Sequence, residues 1–217
     1  MLKLYSYFRS SAAYRVRIAL ALKGLPYETV PVHLLAGGGQ QHAPAYRATN
    51  PQSLVPALQD GQGGAVLTQS LAIIEYLDEA HGGAPLLPAD SLGRARVRAL
   101  AQAVACDLHP LNNLRVLRYL KHELGVSDAQ KDAWYAHWVG LGLSAIEDML
   151  AASPATGRFC HGDAPGLADC CLVPQVFNAR RFNCRVEDYP TIARITAACE
   201  ELPAFQAAAP DRQPDAQ

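Results

Sequence analysis

LYSYFRSSAAYRVRIALALKG, residues 4–24, decides how the rest of the chain is read. It begins in the alternation Leu2, Lys3, Leu4, Tyr5, the period-two signature of a short, half-buried strand. Two serines and two alanines follow, and from Ala13 to Lys23 the composition is that of a helix, stopped by Gly24 and Pro26. A strand that turns into a helix at Ser10 and Ser11 places hydroxyls at a helix start, where unpaired amides and partial positive charge favour an anion. Arg9 stands just before this corner and Arg15 and Arg17 just after it. Both serines also suit simple helix capping.

Outward from this corner, Val30, Val32 and Leu34 alternate as a second strand, and AGGGQQ (36–41) is a glycine-rich loop too irregular for a phosphate-binding motif. Residues 50–82 read as loop, strand, turn, strand and helix, with the turn at DGQGG and Leu71, Ile74 and Leu77 on one helical face. The first 82 residues are therefore β-α-β followed by β-β-α, and 83–90 is a proline- and glycine-bearing linker. From 91 to 217 strand signals fade, and helical periods run through 92–122, 128–152, 167–182 and 191–202. A helix starts near Gly166, with Asp169 facing its first-turn amides and Pro174 expected to bend it; the tail PDRQPDAQ reads as frayed. The fold class is α/β plus all-α.

The chain has 217 residues, half of them hydrophobic and 18% charged, with a formal net charge of −1, which gives no support to a nucleic-acid or membrane partner. No stretch has the length of a transmembrane helix, and the N-terminus lacks the apolar core of a secretion signal. The six cysteines (Cys106, Cys160, Cys170, Cys171, Cys184 and Cys199) show no CxxC spacing and read as buried reduced thiols, in keeping with a cytoplasmic protein. No metal-ligand spacing is present.

Five strings in order, SYFRSSAAYRVRIALALKG, NPQSLVPAL, TQSLAIIEYL, HPLNNLRVL and LADCCLVPQVFNARRF, resemble the zeta class of the glutathione S-transferases, whose members include maleylacetoacetate and maleylpyruvate isomerases. The resemblance runs nearly end to end. It implies a thioredoxin-like N-terminal domain, a helical C-terminal domain, glutathione as cofactor and a homodimer. Ser10 and Ser11 match the serines of the class's Ser-Ser-Cys string, with Ala12 in place of the cysteine, so the sulfur arrives with the ligand. Val55-Pro56 matches a cis proline that exposes the valine backbone to glutathione's cysteinyl part, and Gln69 and Ser70 match the pair that grips its γ-glutamyl end. Gln41 matches a glutamine near the glycyl end.

In the helical half, His109 matches a polar glutathione contact, and Asn113 in the same string is expected to bind glutathione with it. Arg9, Arg115 and Arg181 are expected to converge above the sulfur and hold a small dicarboxylate, because the arginine fork suits carboxylates; Arg180 reads as a surface charge. The implied activity is cis–trans isomerisation by thiolate addition, bond rotation and elimination. The alternatives are conjugation of glutathione to small electrophiles such as α-halo acids, and a non-catalytic binding module.

Overall fold

The computed structural model describes residues 1–61 and 64–216; residues 62 and 63, in the middle of the DGQGG turn, lie outside the described residues. The chain divides into two compact units, Met1–Leu86 with Glu200–Gln217, and Leu87–Cys199. The sequence boundary at 83–90 falls where the first division occurs. A helical domain running on to 217 does not hold, because residues 200–217 return to the first unit.

The first unit is built on a four-stranded sheet in the order β2-β1-β3-β4, with β1 Leu2–Ser6, β2 Tyr27–Pro31, β3 Ala57–Gln59 and β4 Val66–Thr68. β1 runs parallel to β2 and antiparallel to β3, and β3 is antiparallel to β4. The alternation in β1 works as read: Leu2 and Leu4 are buried while Lys3 is exposed. β2 lies earlier than its valines suggested, ending at Pro31, so Val32 serves the core from outside the strand.

Helix α1, Ser11–Leu22, ends in a Schellman motif: Leu25 N–H bonds to Leu20 C=O at 2.9 Å and Gly24 N–H to Ala21 C=O at 3.1 Å. Gly24 takes φ +63°, a conformation that glycine adopts without steric penalty. α1 packs against α3 (Ser70–Ala80) and against α10 (Pro203–Ala208). The short helix α2, Pro44–Thr49, has no counterpart in the sequence reading.

The second unit is helical: α4 (Ser91–Gln102), α5 (His109–Asn112), α6 (Leu114–His122), α7 (Asp128–Ala151), α8 (Leu167–Arg181) and α9 (Pro190–Glu200). Tyr135, Val139, Leu143, Ile146 and Leu150 give α7 a stripe of spacing three and four that faces the core. The continuous period over 92–122 hides two breaks. A π-helical turn occupies Ala103–Leu108, and Asn113, extended at ψ 163°, caps α6 by accepting from Val116 N–H at 3.2 Å. α8 passes through Pro174 as one helix, and its start is fixed by Asp169, whose carboxylate accepts from Gly166 N–H and Cys160 N–H, both at 2.9 Å.

Cys160, Cys170, Cys171 and Cys199 are buried, as expected, while Cys106 is exposed and Cys184 half-buried. Among the described residues, no helix is long and apolar enough to cross a membrane.

Candidate active site

The sheet register gathers the N-terminal candidates at one edge. Tyr5 pairs with Ala57 and Ala57 with Thr68, so the C-terminal end of β1, the N-terminal end of β3 and the C-terminal end of β4 lie in one row. The chain just beyond that row is Ser10-Ser11 after β1, Val55-Pro56 before β3, and Gln69-Ser70 after β4.

At the first corner the two serines divide the work. Ser10 is the N-cap of α1, and its Oγ accepts from Ala13 N–H at 3.2 Å. The first intrahelical bond is Tyr14 N–H to Ser10 C=O at 2.8 Å. The N–H groups of Ser11 and Ala12 and the hydroxyl of Ser11 are left with no acceptor among the described residues. Three donors without acceptors and the positive end of a helix therefore lie at the start of α1, a combination that suits a thiolate; a thiol there is expected below its ordinary pKa of about 8.5.

At the second corner the Val55-Pro56 bond is cis. The carbonyl just before Val55 is held firmly: Leu54 C=O accepts from Tyr46 Oη at 2.6 Å and from Asn50 Nδ2 at 2.8 Å. Burial pushes the Tyr46 hydroxyl up to about pKa 12, so it remains a donor throughout the physiological range. This is the work of α2, which the sequence reading missed. The N–H and C=O of Val55 carry no partner among the described residues, leaving a donor and an acceptor for an extended peptide.

The third corner is a second helix start. Gln69 has φ +68°, uncommon for a residue with a side chain, and such strain concentrates at functional sites. Its Nε2 donates to Gln52 Oε1 at 3.0 Å. The amides of Ser70, Leu71 and Ala72 precede the first helical bond, Ile73 N–H to Gln69 C=O at 2.9 Å, and point out uncapped. Beneath them Arg15, 2% exposed, donates from Nη1 to Ser70 Oγ at 3.2 Å, adding a buried positive charge to a site shaped for a carboxylate. The sequence signal for Arg15 and Arg17 was two charges within an otherwise apolar helix.

The remaining candidates are placed less decisively. Gln41 is buried on the loop after β2, with Nε2 donating to Leu34 C=O at 3.4 Å. Arg9 is exposed, its guanidinium 4.7 Å over the Phe8 ring. In the second unit His109 opens α5 after the π-helical turn, and Asn113 uses its side-chain oxygen to cap α6. Arg115 is exposed on α6; Arg181 is exposed at the end of α8, where Nη1 donates to Asn178 Oδ1 at 3.1 Å. Asn112, overlooked beside Asn113, is 1% exposed, with neither side-chain atom hydrogen-bonded among the described residues.

Known proteins resemble this chain over nearly its whole length. Residues 4–85 match the family described as glutathione S-transferase, N-terminal domain. Maleylpyruvate isomerase from Ralstonia sp is 52% identical over 99% of both chains. A holo structure of maleyl pyruvate isomerase, described as a bacterial zeta-class glutathione S-transferase, aligns with a TM-score of 0.94 and 51% identity over 99% of this chain and 100% of the other. A maleylacetoacetate isomerase from Anaeromyxobacter dehalogenans, holding dicarboxyethyl glutathione and citrate in its active site, aligns with a TM-score of 0.88 and 47% identity over 100% and 98%.

Proposed function

Because this chain belongs to the zeta class of the glutathione S-transferase family, we propose that it is a glutathione-dependent isomerase that converts a cis-enedioate of the maleylpyruvate or maleylacetoacetate type to its fumaryl isomer. The observation that carries the reading is the set of unused donors at the start of α1: the Ser11 hydroxyl and the amides of Ser11 and Ala12. The other two corners fit the rest of the tripeptide. The free N–H and C=O of Val55 suit a peptide unit, and the uncapped start of α3, with Ser70 backed by Arg15, suits the γ-glutamyl carboxylate.

When bound, glutathione supplies a sulfur nucleophile that adds to the conjugated C=C and leaves again after rotation about the resulting single bond. Ser11 and the first-turn amides hold negative charge on that sulfur at neutral pH. Fixed donors of this kind act without reorganising during the reaction. Arg9, Arg115 and Arg181 bind the two carboxylates and the charge that develops beside them, with His109 and Asn113 contacting the tripeptide. Ala12 leaves no protein thiol at this corner, so the chain's own residues need only stabilise a borrowed sulfur. The shorter maleylpyruvate is the favoured substrate. The working form is a cytoplasmic homodimer, which sedimentation of the purified chain checks.

Each of the two substrates is supplied separately, with and without glutathione, while its ultraviolet band and the total thiol are followed. Isomerisation that needs glutathione and leaves total thiol constant is the expected result. Failure of both substrates overturns the proposal, and thiol loss in step with turnover points to conjugation instead. Replacing Arg181 by alanine removes charge-assisted bonds of about 1.5–3 kcal/mol. That corresponds to roughly a 10- to 100-fold rise in substrate KM, with the glutathione dissociation constant unchanged. Equal loss of both would remove Arg181 from the substrate site.

A further inference from the structure

The turn that delivers Ser10 and Ser11 is closed by Ser10 N–H bonding to Tyr7 C=O at 2.9 Å, and inside it the backbone of Phe8 is gripped at both ends. Phe8 C=O accepts from Arg17 Nη2 at 3.0 Å, and Phe8 N–H donates to Asp215 Oδ2 at 3.0 Å. Arg17 is 0% exposed and uses its other nitrogens on Ser6 Oγ at 3.2 Å and Ala208 C=O at 3.0 Å. One guanidinium thus joins the end of β1, the turn and α10. Burial brings its pKa down to about 10, with Tyr27, Tyr14 and Asp215 opposing that fall, so it is charged at neutral pH.

Asp215 comes from the tail, which is docked and not frayed. Gln213 Nε2 donates to Ala207 C=O at 3.0 Å and Ala209 C=O at 2.9 Å, and Ala216 packs on the cluster of Tyr7, Phe8, Val32, Tyr46 and Val55. That cluster also contains Val55, so the tail packs on the same group of side chains that joins the first corner's turn to the second corner. The second oxygen of Asp215 is enclosed with no hydrogen-bond partner among the described residues, which leaves the bond to Phe8 and the field of Arg17 to hold it.

Building on the reading of the first corner as the sulfur site, we propose that Asp215 is a positioning residue for the thiolate. By fixing the Phe8 peptide against Arg17, it sets the direction in which the Ser11 hydroxyl and the α1 amides point. Donors that stabilise a charge must be held to within a fraction of an ångström, and here the support is a carboxylate 207 residues away along the chain.

The sign of the effect separates positioning from simple electrostatics. A carboxylate acting through space would raise the pKa of a neighbouring thiol, so removing it would lower that pKa. Loss of positioning does the reverse. The test is an ultraviolet difference titration of bound glutathione in the complex, which follows the thiolate directly and needs no second substrate. With Asp215→Ala, and with a chain ended after Pro214, the bound-thiol pKa is expected to rise by about one unit, a tenfold loss of thiolate at pH values below it. Asp215→Asn, which keeps an acceptor for Phe8 N–H, is expected to stay near the parent value. A bound-thiol pKa that stays put or falls when Asp215 is replaced by alanine or removed overturns the proposal, whatever happens to the melting temperature. Should the alanine variant fail to fold, the shortened chain carries the test alone. A parent complex with no thiolate at neutral pH overturns the functional reading and this proposal with it; a parent thiolate untouched by both changes overturns this proposal alone.

Discussion

Ser11→Ala is expected to lower kcat/KM for isomerisation roughly 100-fold, the usual loss when one fixed donor to a developing or resident charge is removed. Ser10→Ala is expected to act mainly on stability, by about 1 kcal/mol, the ordinary loss for an N-cap. The two residues are neighbours of the same type, yet their hydroxyls have different employment. The Ser10 Oγ already accepts from Ala13 N–H at 3.2 Å, whereas the Ser11 hydroxyl takes no partner among the described residues. Because a donor to sulfur favours the thiolate, its loss raises the thiol pKa, and the acid limb of the pH–rate profile moves upward. Profiles of kcat/KM against pH, set beside denaturant unfolding of each variant, check both halves. If Ser10→Ala moves the acid limb and Ser11→Ala only the unfolding midpoint, the assignment is reversed.

Local periodicity carried the parts of the fold whose partners are close in sequence. The alternation Leu2-Lys3-Leu4 became β1, and Gly24 with the residues before it closed α1 through bonds reaching back only five residues. The breaks in 92–122 were less legible. The apolar period continues across the π-helical turn, and the capping role of Asn113 was not read from the sequence. Helix α2 spans only six residues and shows no apolar stripe; its value lies in Tyr46 and Asn50 reaching Leu54, a contact no local pattern announces.

The site was legible where residue type and position were enough. Ser10-Ser11, Val55-Pro56 and Gln69-Ser70 each mark a place where a strand ends or begins, and the sheet register brings those places to one edge. The supports beneath them were not legible, because each joins distant segments. Arg15 meets Ser70 across 55 residues, and Arg17 meets Ala208 across 191. A charged side chain in an apolar helix says that partners must exist, since an unpaired buried charge is very costly, but not which they are. The tail shows the same limit: its proline and polar residues suggest fraying until Gln213 and Asp215 find backbone acceptors and donors in α10 and the Tyr7–Ser10 turn.

Asp169→Ala is expected to be among the most damaging changes to stability. The Asp169 carboxylate is 1% exposed, its Oδ1 accepts from Cys160 N–H and its Oδ2 from Gly166 N–H, and the Cys199 thiol donates to Oδ1 at 3.9 Å. Alanine would orphan the Gly166 amide at the start of α8 and the Cys160 amide in the loop before it, at roughly 1–3 kcal/mol for each buried donor. A loss of about 3 kcal/mol is a large share of the 5–15 kcal/mol typical of a whole domain. The same site makes a prediction about pH. Burial raises the Asp169 carboxyl pKa above its ordinary value, outweighing the two amides that pull it down. As pH rises, the unfolded chain gives up this proton first, so the stability Asp169 contributes is greatest below the ordinary carboxylate value and is lost as pH passes through the raised one. Measured against Asp169→Asn, which does not titrate, the unfolding free energy of the parent should therefore fall across that acid window. A relative free energy that climbs with pH would mean that the amides of Cys160 and Gly166 outweigh desolvation and hold the carboxylate below its ordinary range.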